Sequence, residues 1–189
     1  EFSGRWEEAF GKPEREGVWF VFGDSGSGKT SFVMQLCNEL ARFERVGYNS
    51  LEEGVSLSMQ NSIRRFGLAD RGSKVQFYDC ESMEALSDRL TKPRQPRIIV
   101  IDSFQYTQMR YKDYIEFKER HRDKLIIFVS HANGTKPAGR SAISVLYDAT
   151  LKIWVQGYRA FSRGRFIGSV GYFDVWEERA KTFWEGNIK

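Results

Sequence analysis

The chain has 189 residues, 41% hydrophobic and 29% charged with 4 prolines, enough apolar material for one α/β domain and too little length for two comfortable ones. This composition excludes a disordered, collagen-like or low-complexity chain. Its 29 Lys and Arg against 25 Asp and Glu give a formal charge of +4, which permits anionic partners without requiring them. No apolar run approaches the ~20 residues of a membrane span, and Glu1 to Phe10 lacks a basic start and a continuous apolar stretch, so a soluble cytoplasmic protein without membrane contact is expected. Cys37 and Cys80 form no metal-type pair and are expected as reduced thiols.

Val18 to Phe22 is a short aromatic and β-branched run ending at a glycine, the pattern of a strand buried on both faces. From Thr30 onward Phe32, Leu36, Leu40 and Phe43 recur at helical spacing and predict an amphipathic helix. Val46 to Ser50 reads as a strand, Ser56 to Phe66 as a helix, Val75 to Tyr78 as a strand, and Glu81 to Leu90 as a helix closed off by Pro93 and Pro96. Ile98 to Ile101 is the strongest buried-strand signal. Tyr111 to Asp123 predicts a mixed-charge helix with His121 at its surface, followed by a buried strand over Leu125 to Val129. Strands alternating with helices imply right-handed crossovers and a mainly parallel sheet covered on both faces.

After Ala149 the texture changes. Leu151 to Val155, Tyr158 to Phe161 and Val170 to Val175 read as antiparallel strands joined by glycine turns. From Ala149 to Phe173 the cations Lys152, Arg159, Arg163 and Arg165 occur with no acid, whereas Glu1, Glu7, Glu8, Glu14 and Glu16 make the amino end acidic. The expected organisation is a single domain over residues 1–189, with an extension at 1–16, a core at 17–165 and a carboxyl-terminal strand and tail at 166–189.

Gly23-Asp24-Ser25-Gly26-Ser27-Gly28-Lys29-Thr30 fits G-x-x-x-x-G-K-[ST], and Ser31 continues it into the helix. Glycines let backbone N–H groups turn toward a polyphosphate, the helix offers its positive end, Lys29 reaches the β and γ phosphates, and the Thr30 hydroxyl can ligate Mg²⁺. Such a site needs an acid at the carboxyl end of a neighbouring buried strand, and Asp102 supplies it as a Mg²⁺ partner, most simply through water. An aspartate there also serves to cap the following helix. Ser50-Leu51-Glu52-Glu53-Gly54 places two carboxylates at another strand end, where a base for water or an ordinary surface turn would fit.

The succession of phosphate loop, strand ending in S-L-E-E, strand ending in I-D-S and strand ending in S-H resembles the RecA-like ATPases, above all the RadA, DnaB and KaiC branch, over roughly Gly17 to Arg165. The resemblance implies a RecA-like α/β fold with ATP and Mg²⁺ as cofactors. It assigns activation of the attacking water to Glu52, with Glu53 as its second. His131 stands where the family has a polar γ-phosphate sensor, often glutamine; a neutral histidine can donate one hydrogen bond as an amide does. Arg163 and Arg165 fall where the branch has cations that reach a neighbouring subunit's γ-phosphate, implying a homo-oligomeric ring or filament with ATP at its interfaces, although both residues would also suit a solvated sheet edge.

The segment His131 to Arg140, with Lys136 and Arg140, looks like the family's flexible loop near a nucleic-acid channel. Gln105, Tyr106, Met109, Arg110 and Tyr111 occupy the first channel-loop position, where rings and cations suit single-stranded DNA or, equally, helix packing. The leading expectation is a Mg²⁺-dependent ATPase coupled to DNA recombination, repair or replication. The alternative is a KaiC-like regulatory or assembly module acting on a protein partner. An ABC-type ATPase lacks its glycine-rich signature between Asp79 and Arg97, and the Arg163–Arg165 hairpin makes a poor lid for a small nucleotide kinase.

Overall fold

A computed structural model of the chain describes residues 1–186; the last three residues of the expected tail, 187–189, lie outside the described residues. In chain order the elements are helix α1 (Arg5–Phe10), strand β1 (Gly17–Gly23), α2 (Lys29–Leu40), β2 (Val46–Ser50), α3 (Leu57–Arg65), β3 (Val75–Asp79), α4 (Met83–Leu90) and β4 (Ile98–Asp102). There follow α5 (Tyr111–Arg120), β5 (Leu125–Asn133), β6 (Lys136–Pro137), α6 (Arg140–Asp148), β7 (Leu151–Gln156), β8 (Arg159–Gly164), β9 (Tyr172–Asp174) and α7 (Glu177–Glu185). Single 3₁₀ turns cover Ala69–Lys74 and Phe104–Thr107.

The strands form a sheet in the order β3-β2-β4-β5-β1-β7-β8-β9, with β6 paired to β5. Every neighbour from β3 through β7 is parallel, and β7, β8 and β9 continue it antiparallel. The expected α/β architecture is therefore the observed one. Alternation along the central strands divides the core: Trp19, Val21, Val100, Ile127 and Val129 face α2, whereas Phe20, Phe22, Ile99, Ile101 and Phe128 face the side of α4, α5 and α6. Each such buried side chain contributes about 1.5–3 kcal/mol relative to exposure.

Several sequence expectations need correction. The α2 helix stops at Leu40, and Phe43 lies 37% exposed in the turn beyond, because the chain must reverse to enter β2. His121 is buried, 2% exposed, at the carboxyl end of α5, where its Nε2 and the Ser87 hydroxyl are 2.8 Å apart. The segment His131 to Arg140 is a hairpin of β5 with β6 leading into α6, instead of an open loop. The expected strand over Val170 to Val175 shortens to β9, and the tail folds into α7.

The amino-terminal extension folds as α1. Phe2, ahead of the helix, packs with Trp6 and Phe10 of it, and the Trp6 ring stacks on Phe173 of β9 at 4.3 Å. Such a pair adds about 0.5–1.5 kcal/mol beyond its buried area. This aromatic seam ties the start of the chain to the antiparallel edge of the sheet.

Candidate functional site

Parallel pairing sets the site by bringing strand carboxyl ends to one edge. In register, Gly23 lies beside His131 of β5 on one side and Val155 of β7 on the other, and Ser50 lies beside Asp102. The turn from β1 into α2 is tight. A Cβ on Gly23 would stand 2.4 Å from the Val155 carbonyl oxygen, and Gly28 adopts φ 93°, a left-handed conformation that glycine takes without penalty. The Ser27 carbonyl accepts a 2.9 Å hydrogen bond from the backbone N–H of Tyr158, anchoring the loop to the β7–β8 turn.

A cleft of about 150 Å³ opens over this turn, lined by Asp24, Ser25, Gly26, Lys29, Thr30, Ser50, Glu52, Glu53, Met59, Asp102 and His131. Most of the residues singled out by the sequence thus meet in one place. Asp102 is the buried charge of the site. Burial lifts its carboxyl above the ordinary 3.8; a hydrogen bond donated by the Tyr48 hydroxyl and the charge of Lys29 oppose that rise, and Glu52 and Glu53 reinforce it. A cation placed beside Asp102 would relieve this cost, since an opposite charge favours the ionised form.

Glu52 and His131 touch each other, Oε2 to Nε2 at 2.9 Å, with both side chains about one third exposed. An ionised carboxylate only accepts, so the His131 Nε2–H is the donor to Glu52. The Glu52 and Leu51 backbone N–H groups both point to the Asp102 carbonyl, at 3.3 and 2.6 Å, which places the acidic turn beside the strand end that carries Asp102. Glu53 lines the same cleft.

Two groups of predicted residues lie elsewhere. Arg163 is opposite Lys152 of β7, which is level with Phe20 in the middle of β1, and its guanidinium sits 4.3 Å from the Trp154 ring centroid. Arg165 follows it, exposed, beyond β8. Gln105 is engaged in packing: its amide donates to the Ser130 hydroxyl at 2.8 Å and the Ala138 carbonyl at 2.9 Å and accepts from the His131 N–H at 3.1 Å. Tyr106, Arg110 and Tyr111 remain exposed beside it.

No protein-family profile and no curated protein matches the chain. Among solved structures, a KaiC-like protein from the hyperthermophilic archaeon Pyrococcus horikoshii OT3 superposes with a TM-score of 0.66, covering 89% of this chain and 94% of that one at 17% identity. The chain has the RecA-like fold. The resemblance carried by the sequence motifs agrees with it at the level of the fold.

The residues present fit a nucleotide with Mg²⁺. Backbone at Gly23, Gly26 and Gly28 leaves room that side chains would fill or strain, and the buried Ser27 hydroxyl has no hydrogen-bond partner. The Thr30 hydroxyl and Asp102 line the same cleft and would hold a cation there together with phosphate oxygens. Among the described residues no helix is long and apolar enough to cross a membrane. Sequence reasoning missed Tyr48 and Tyr158. Tyr48 sits inside a strand that reads as ordinary core, and Tyr158 acts chiefly through its backbone.

Proposed function

We propose that the chain binds ATP with Mg²⁺ across the phosphate loop and hydrolyses it. The observation that carries this reading is the convergence of Lys29, Thr30, Asp102, Glu52 and His131 on one cleft from four different strand ends. Lys29 and the loop N–H groups would hold the phosphates, while Thr30 and Asp102 would hold the cation, which when bound supplies charge neutralisation at the phosphates. Glu52 orients the attacking water and takes its proton. The hydrogen bond from His131 holds Glu52 in this cleft, and a γ-phosphate oxygen would compete with the carboxylate for the same Nε2–H.

On this reading Arg163 and Arg165 act in trans: neither lines the cleft over the phosphate loop, which supports a role at a second copy's site in a homo-oligomer with nucleotide at its interfaces. Single-stranded DNA is the partner that this edge suits: Tyr106, Arg110 and Tyr111 are exposed, as are Lys136 and Arg140, and Gln105 ties the first segment to the second through the Ala138 carbonyl and the His131 N–H. The alternative is a KaiC-like regulatory or assembly module acting on a protein partner, to which the structural neighbour lends only its KaiC-like fold.

Steady-state MgATP hydrolysis with and without single-stranded DNA, with Lys29→Ala as blank, tests this reading. DNA stimulation that fades as salt rises supports the coupled reading, because phosphate contacts release counterions. Turnover indifferent to DNA favours the regulatory module. Equal phosphate release by Lys29→Ala overturns the site.

A further inference from the structure

A second cleft, of about 320 Å³, lies on the other side of the phosphate loop from Glu52 and Asp102, lined by Ser31, Arg65, Phe66, Tyr158, Val175, Trp176 and Glu177. Ser31 is the residue after Thr30, so this cleft begins where the phosphate-holding turn ends. Its wall is fastened to the loop through Tyr158: the Tyr158 N–H donates to Ser27, and its carbonyl accepts from the Val175 N–H at 2.9 Å and the Trp176 N–H at 3.4 Å. A Cβ added at Gly28 would stand 3.1 Å from the Tyr158 ring, so the ring closes over the turn.

The surface is aromatic and cationic. Trp176 is 37% exposed, with the Arg65 guanidinium 5.3 Å and that of Arg179 4.2 Å from its ring centroid. Arg179 also donates to the Tyr158 hydroxyl at 2.8 Å, which fixes one side of the wall, while Arg65 reaches across from the end of α3. Rings backed by guanidinium groups are a stacking surface for a flat π-system. Among the described residues the lining offers the Ser31 hydroxyl as its uncharged side-chain hydrogen-bonding group besides the Tyr158 hydroxyl, which Arg179 engages, and a hydroxyl both donates and accepts and so does not tell adenine from guanine; its carboxylate, Glu177, is engaged by Lys181 at 3.1 Å.

We infer that this cleft is the base subsite of the nucleotide proposed above, holding the base against Trp176 by stacking and accepting adenine and guanine alike. The inference rests on the phosphate-loop reading. A base held by ring faces is selected by the size of its π-surface, so purines outrank pyrimidines; strong discrimination between purines would need edge hydrogen bonds that would be left unpaired by the wrong base.

The test is calorimetric titration of the full chain, with Mg²⁺, by ATP, GTP, CTP and inorganic tripolyphosphate, in the wild type, Trp176→Ala and Trp176→Phe. The expected result is ATP and GTP within about threefold of each other, CTP about tenfold weaker, a loss of about tenfold for both purines in Trp176→Ala, and near-wild-type binding in Trp176→Phe. Tripolyphosphate binding should be the same in all three proteins, which also shows that the variants fold. Unchanged ATP affinity in Trp176→Ala with tripolyphosphate still bound overturns this inference alone. Equal weakening of ATP and tripolyphosphate overturns it as well, by making Trp176 a support of the loop, and so does GTP binding a hundredfold or more below ATP. Failure of both ATP and tripolyphosphate to bind the wild type overturns the phosphate-loop reading together with it.

Discussion

The parallel and antiparallel parts of the sheet differ in what their side chains are free to do. In β1 every residue after Gly17 is buried, and β4 is buried up to Asp102, so these strands offer chemistry only where they end. In β7 burial alternates residue by residue, leaving Lys152, Trp154 and Gln156 on a partly open face beside Arg159, Phe161 and Arg163 of β8. A sheet covered on both sides concentrates its function at one edge, whereas a sheet covered on one side carries rings and cations along its length. The first arrangement suits the proposed hydrolytic cluster and the second suits contacts with another molecule.

The largest effect that probes this contrast comes from the antiparallel side. Arg165→Ala should lower MgATP turnover by about 10³-fold if the cation serves a neighbour's transition state. Mixing Arg165→Ala with Lys29→Ala chains should restore part of the activity, and no recovery at any ratio in a phosphate-release assay contradicts action in trans. On the parallel side, His131→Ala should slow turnover by about 10²-fold, the scale of a misplaced catalytic group, while His131→Gln keeps a donor and most of the rate. Equal losses in both variants would separate His131 from the Glu52 carboxylate.

Smaller effects concern stability. Because burial raises the Asp102 carboxyl above 3.8, the folded state holds that proton more tightly than the unfolded chain, and ionising it costs stability as pH rises through that window. Asp102→Asn removes the cost: calorimetric melting at neutral pH without nucleotide should rise by about 2–4 °C per kcal/mol recovered, while the Mg²⁺-dependent shift with ATP disappears. The smallest effect belongs to His121, whose imidazole is held below its usual 6.5 first by burial and then by the charges of Arg120 and Lys124. The unfolded chain takes up a proton there that the folded chain resists, so stability is complete above 6.5 and falls on acidification, by at most about 1.4 kcal/mol per pH unit. His121→Gln should flatten that slope in melts between pH 5 and 7.

The legible parts of the molecule were those with a strong local cause. Continuous apolar runs such as Ile98 to Ile101 marked strands buried on both faces, and the phosphate-loop spacing marked its own turn, because each glycine answers a backbone demand. Glu52, Asp102 and His131 could be placed at one edge since parallel strands end together. Helices α1 and α7 escaped notice because their apolar residues are aromatic rings spaced among charges and satisfied by distant partners, as with Trp6 on Phe173 and Trp184 at 5.2 Å from Phe161. His121 misled for the same reason: its neighbours in sequence are charged, and the Ser87 hydroxyl that receives it lies on another helix. The contact between Glu52 and His131 joins residues 79 positions apart, and no local pattern encodes it.

The central claim is that Glu52 activates water for a nucleotide held by the phosphate loop, and Glu52→Gln tests it most directly. MgATP affinity and single-turnover hydrolysis should be measured together on the same preparation. The account predicts a dissociation constant near that of the wild type with hydrolysis slowed by about 10²–10⁴-fold. Hydrolysis retained at the wild-type rate in Glu52→Gln contradicts it, and a matching loss in Glu53→Gln instead would move the role one residue along the chain.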